Sequence, residues 1–219
     1  MAETTASSAM SPAEEEAVFY HESALNASWT GVRLALGAMS FLFGAFVFAF
    51  FYLKSLNSHH LWYTSGTHPQ LWLGTLIMVL VVVSALVQWG VLQLIKRGNK
   101  SAWLGGAIAA LVLGLAAVVC SILQLLYIPF WPGASGFASV FVGFTPVFLA
   151  IAFCAMVWLE TLVMRCRVIP QISFVEQPPT YAEAFSVQRF QASLSAFTLT
   201  WNYLAVIALV AWILFYFVH

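Results

Sequence analysis

Five apolar runs occupy most of this chain, at about residues 31–53, 71–95, 102–128, 137–164 and 192–218. Each exceeds the ~20 residues that a helix needs to cross the hydrocarbon core of a bilayer. The linkers are short except 165–190, "RCRVIPQISFVEQPPTYAEAFSVQRF", whose prolines argue against a sixth span. Only 7% of the residues are charged and no Asp occurs, whereas soluble domains are about a quarter charged. A soluble fold is excluded. The reading is an all-α integral membrane bundle of five transmembrane helices spanning 29–219, preceded by a tail at 1–28.

The positive-inside rule orients the bundle. With the N-terminus in the cytoplasm, the inner side carries Arg33, Lys96, Arg97, Lys100, Arg165, Arg167 and Arg189, leaving only Lys54 outside. Seven of the eight Lys and Arg on one side predict a cytoplasmic N-terminus and a C-terminus outside. Net charge is zero and the basic residues form no stripe, so nucleic acid is not an expected partner. The tail is acidic rather than basic, unlike a signal peptide. Within it "SPAEEEAVF" reads as a short surface helix with Ser11 as cap and Pro12 in the first turn. Trp29, Trp62, Trp72, Trp103 and Trp131 stand near the ends of runs, where indoles favour the headgroup layer.

Small residues recur at helical spacing: Gly37, Ser40 and Gly44 in the first run, Gly106, Ala110, Gly114, Ala117 and Ser121 in the third. Ser139, Gly143 and Ala150 do the same in the fourth, where Pro146 predicts a kink, and Ser195, Thr198, Asn202 and Ala205 in the fifth. Such stripes predict close helix packing, because lipid supplies no hydrophobic drive for association. Polar residues inside spans are costly and merit a functional reading. They are Ser84 with Gln88 on one face of the second run, Gln124, Glu160 and Asn202. Glu160, the only acid in a span, lies about one turn from Arg165 and is expected to pair with it or reach the interface.

No histidine lies well inside a span, so haem or copper has no internal ligand set. His59, His60 and His68 cluster in the loop "SHHLWYTSGTHPQ", without Cys or acid to complete a metal site. Cys120, Cys154 and Cys166 make no C-x-x-C pair and read as free thiols. No nucleophile–base pair appears in the spans, so no catalytic residue is expected. Guanidinium groups pair bidentately with phosphate, which makes Arg33 with Trp29, and Arg165 with Arg167, the candidates for lipid contact.

Certain segments carry a further likeness. The first run, "RLALGAMSFLFGAFVFAFFYLK", closes on "FFYLK", and the third, "LGLAAVVCSILQLLYI", holds Gly114 and then Gln124. "SVFVGFTPVFLAIAF" keeps Gly143 and Phe144, and "WNYLAVIALVAWILFYF" has Trp201, Tyr203, Trp212 and Phe215. On these residues the chain, over roughly 28–218, resembles subunit III of haem–copper oxidases in the five-helix form that lacks two N-terminal helices. It departs from that family at Phe41, where an acid follows the serine, and at Thr145 and Phe148, where two histidines stand. Asn202 and Ala205 likewise replace a histidine and an aspartate, and Leu125, Leu126 and Tyr127 stand where an acid follows the glutamine.

The resemblance implies a non-catalytic subunit of a respiratory terminal oxidase, fed by cytochrome c or quinol, in a bacterial plasma membrane. It would pack beside the catalytic haem–copper subunit I and subunit II, bind phospholipid, and stabilise the complex during oxygen reduction and proton pumping. Haem and copper are implied in those partners, and no cofactor in this chain. An accessory subunit of a nitric oxide reductase is a second reading. A small membrane transporter, with a site drawn from Gln88, Gln124 and Asn202, is a third.

Overall fold

The computed structural model describes residues 12–57, 62, 68–170, 174 and 181–218. They form five helices: α1 (Pro12–Ser55), α2 (Leu71–Lys96), α3 (Lys100–Leu126), α4 (Gly136–Val168) and α5 (Tyr181–Tyr216). All five are long and apolar enough to cross a membrane, so the chain is a multi-pass membrane bundle. Among the described residues there is no strand.

The helices outrun the apolar runs. α1 is one helix of 44 residues, about 66 Å at 1.5 Å per residue. The surface helix expected in the tail is therefore the leading part of the first spanning helix. No Gly or Pro separates Pro12 from Gly31, so nothing stops the helix where hydropathy falls. Ser11, its expected cap, lies outside the described residues. α5 likewise begins well before its apolar run, because Val187 and Phe190 are buried against the bundle and hold the extra turns down. α4 continues through Pro146, which removes only the hydrogen bond to the Val142 carbonyl.

The turn between α2 and α3 is tight. Gly98 takes φ 80°, a conformation open to glycine. Its N–H donates to the Ile95 carbonyl at 2.9 Å and the Asn99 N–H to the Leu94 carbonyl at 3.0 Å, a Schellman ending. Asn99 then starts α3, its Oδ1 accepting from the Ala102 N–H at 3.0 Å. Ser135 caps α4 in the same way, through Ala138 at 3.0 Å.

The helices close into a ring, α1–α4–α3–α2–α5, and α4 also meets α5 across it. The small-residue stripe of α3 packs as expected: a Cβ on Gly106 would overlap Val91 of α2, and one on Gly114 would overlap Met156 of α4. The stripe of α1 touches a neighbour only at Ser40, whose hydroxyl lies 3.0 Å from that of Tyr203 on α5. Gly37 and Gly44 are exposed with nothing within 4 Å of a would-be Cβ, and Ser40 is exposed too. α1 instead turns Val32, Phe43 and Phe50 inward. Phe43 and Phe46 meet Phe144 at ring-centroid distances of 5.6 and 5.7 Å, so area of aromatic contact outweighs closeness of backbone there.

Two of the five expected interfacial tryptophans are internal. Trp103 packs edge-on against Phe190 at 5.4 Å and is fully buried. Trp62 sits between Phe50 and Phe137, at 4.9 and 6.0 Å. Chain position at a span end says nothing about whether the indole faces lipid or protein. Trp72 and Trp131 do face outward.

Candidate functional site

Hydrogen bonds inside the bundle tie α5 to its neighbours at three levels, once to α3 and twice to α2. Near one end Gln124 of α3 donates to the Tyr216 hydroxyl at 2.6 Å, and that hydroxyl occupies the space a Cβ on Gly74 would need. One turn along, the Trp212 indole donates to Thr75 Oγ1 at 3.0 Å. At the centre the Trp201 indole donates to Ser84 Oγ at 3.0 Å, and Ser84 donates onward to the Ala110 carbonyl at 2.7 Å. Three helices thus share one buried relay. Each group is paired, which is what a low-dielectric interior requires.

Gln88 breaks that pattern. It shares the Ser84 face, as its spacing predicts, and is completely buried, yet neither its amide oxygen nor its nitrogen has a partner. The Trp103 indole nitrogen is also buried without one. The remaining intramembrane candidates are peripheral. Glu160 is exposed on the outer face of α4, and among the described residues no ion pair joins it to Arg165. Asn202 is half-buried on α5 and makes no hydrogen bond among the described residues. The structure therefore brings Gln124 to α5 but does not gather Gln88, Gln124, Glu160 and Asn202 into one site.

Lys96, Lys100, Arg165 and Arg189 collect where α2 and α4 end and α3 and α5 begin. Lys100 reaches across from α3 and donates to the Ile169 carbonyl, and to that of Arg167 at 3.3 Å, covering the negative end of α4. Two grooves open beside it. One, of about 350 Å³, lies between α1, α2 and α5 and is lined by Trp29 and Lys96 over Leu92 and Ile95. The other, of about 430 Å³, lies between α4 and α5, with Arg165 and Arg189 against Val168, Phe185 and Phe190. Of the candidates for lipid contact, Trp29 and Arg165 line grooves, whereas Arg33 and Arg167 are exposed and line neither.

Sequence reasoning missed Lys96, Arg189, Gln188 and Gln191 as site residues. A signal was present: Gln188, Gln191 and Ser195 recur at i, i+3 and i+7, one helical face. Reading 165–190 as a linker hid it. Of the histidine loop, His59 and His60 lie outside the described residues. Among the described residues no three His, Cys, Asp or Glu side chains converge.

No protein-family model matches this chain, and no curated protein matches it.

Proposed function

We propose that this chain is a non-catalytic accessory subunit of a membrane respiratory complex, of the kind subunit III represents in haem–copper terminal oxidases. On this reading the N-terminus is cytoplasmic and the membrane is a bacterial plasma membrane. Haem and copper reside in the neighbouring subunits I and II, and this chain binds phospholipid and stabilises the complex during oxygen reduction and proton pumping.

The observation that carries the reading is the uncovered face of α1. Only 11% of its most apolar stretch is buried, against 33–44% for the other four helices. Leu34, Phe41 and Phe48 project from it at seven-residue intervals, 71%, 85% and 69% exposed. Beside them Gly37, Ala38, Gly44 and Ala45 repeat at the same interval, also exposed. Lipid accepts any arrangement of apolar side chains and sets no seven-residue register. A neighbouring helix does, because large residues must enter gaps left by small ones at 3.5 residues per turn. The face suits a second transmembrane helix crossing at a shallow angle.

The test is capture of the tagged chain in a mild detergent, followed by a reduced-minus-oxidised visible spectrum and mass spectrometry of what accompanies it. Haem bands together with a large multi-span haem–copper subunit are expected. A colourless chain that runs alone would refute the proposal. A sharper form replaces Gly44 with Trp, which should leave the isolated chain folded and abolish co-purification.

A further inference from the structure

Between α2, α3, α4 and α5, towards the end where α2 begins and α5 ends, lies a cavity of about 60 Å³. Phe144, Phe148 and Phe215 form part of its wall, yet four polar side chains also line it: Ser121 and Gln124 from α3, Thr145 from α4 and Tyr216 from α5. The first three are buried, at 5%, 7% and 8% exposure. Ser121 and Thr145 spend their hydrogens on the carbonyls of Ala117 and Phe141, each at 2.8 Å, and keep their oxygen lone pairs. Gln124 uses half of its amide: Nε2 donates to the Tyr216 hydroxyl, and among the described residues Oε1 has no partner. The Tyr216 hydroxyl accepts that bond with its own hydrogen unspent. Exchanging oxygen and nitrogen in the amide only moves the free donor to Gln124 and the free acceptor to Tyr216. The two buried glutamines therefore differ: both amide atoms of Gln88 are sealed from any water-sized space, whereas Oε1 of Gln124 stays accessible.

We propose that this cavity is an internal hydration site, holding about two waters that bond Gln124, Ser121, Thr145 and Tyr216 and so join α4 to the hydrogen-bonded pair of α3 and α5. Three features select water. Free acceptors and a free donor stand together in a buried space, and a water with about three polar neighbours satisfies both kinds. The volume fits about two waters at ~30 Å³ each and falls well short of the roughly 150 Å³ that takes up a benzene-sized ligand. No carboxylate occurs among the described lining residues, so a metal ion or ammonium would sit there uncompensated. The site is also a dead end. Along α5 it spans Ala208 to Tyr216, about 12 Å at 1.5 Å per residue, and its lining does not include Ser84 or Trp201. The hydrated stretch covers less than half of the ~30 Å hydrocarbon core and forms no path across it. The site is built by this chain alone and does not depend on the accessory-subunit reading.

The test is NMR of the full-length chain in detergent micelles, labelled with ¹⁵N-glutamine, reading dipolar transfer from water to the side-chain amides. The Gln124 amide should receive magnetisation from water and none from detergent chains, while the sealed Gln88 amide receives it from neither. Thr145→Val keeps the side-chain shape, removes one acceptor and should weaken the transfer to Gln124. Ala208→Leu fills the cavity and should abolish it. Should the leucine variant not fold, Thr145→Val decides the matter. Absence of transfer to Gln124 in the unaltered chain would overturn the proposal, as would equal transfer to Gln88 or no change in Thr145→Val. Transfer from detergent chains to Gln124 would overturn it in favour of an apolar occupant. Because no partner is present, the result is independent of whether a haem–copper subunit co-purifies.

Discussion

The two ends of the bundle are built on opposite principles. At the end where Lys54 donates to the Val218 carbonyl, rings fill the space between α1, α4 and α5. Phe215 touches Phe50, Phe137, Phe141 and Phe144, with ring-centroid distances from 5.1 to 6.0 Å. At the other end the helices part around two grooves of about 350 and 430 Å³, flanked by Lys96, Arg165 and Arg189. Aromatic side chains hold large contact area with few rotatable bonds, so the first end is rigid and closed. Long basic side chains lose rotamer entropy when fixed and repel one another, so the second end stays open and favours anions. One end is closed by packed rings, and the other is open and basic.

Substitutions at the two ends should therefore differ in their effect on stability. The largest loss should come from Phe137→Ala, which empties a fully buried ring site in the closed end. About 3–5 kcal/mol is expected, read as a lowered unfolding midpoint in detergent. A midpoint close to wild type would mean that the closed end is no more rigid than the open one. Gly74→Ala comes next, since its methyl group would displace the Tyr216 ring and part it from Gln124. About 1–3 kcal/mol is expected in the same measurement. Ser84→Ala strands the Trp201 indole N–H and should cost about 1–2 kcal/mol, with a near-neutral result indicating that the relay repacks. Smallest of all is Arg165→Gln with Arg189→Gln in the open end. It should move the midpoint by no more than about 0.5 kcal/mol, because both side chains lie at the surface. A large loss there would show that the open end contributes stability as well.

Much of this was legible in the residues, and what was not has identifiable causes. The five spans follow from hydropathy, and the α3 stripe from the repetition of Gly106, Ala110 and Gly114. Gln88 and Ser84 share a face because they are four residues apart. The α1 stripe has the same spacing as the α3 stripe but faces outward, since periodicity defines a face without saying which neighbour covers it. The helix start at Pro12 was legible, but its continuity into the first span and the start of α5 at Tyr181 were misjudged, because hydropathy marks where a membrane would end, while helix termination needs its own signals. Where such a signal exists, at Arg97-Gly98-Asn99, the helix stops within one residue of the expected boundary.

Composition and local pattern by themselves determined that this chain is a five-span membrane bundle, because hydropathy and helical period are properties of consecutive residues. Tertiary structure alone decided that Trp103 and Trp62 are internal and that Gln124 reaches Tyr216, a partner 92 positions away. It alone left Gln88 unpaired and α1 uncovered, and it alone brought Trp29, Lys96 and Gln191 around one groove. The physical reason is common to all of these. A helix carries its side chains on fixed faces, but which face meets which depends on how five rigid rods close into a ring, and that information is distributed over the whole chain.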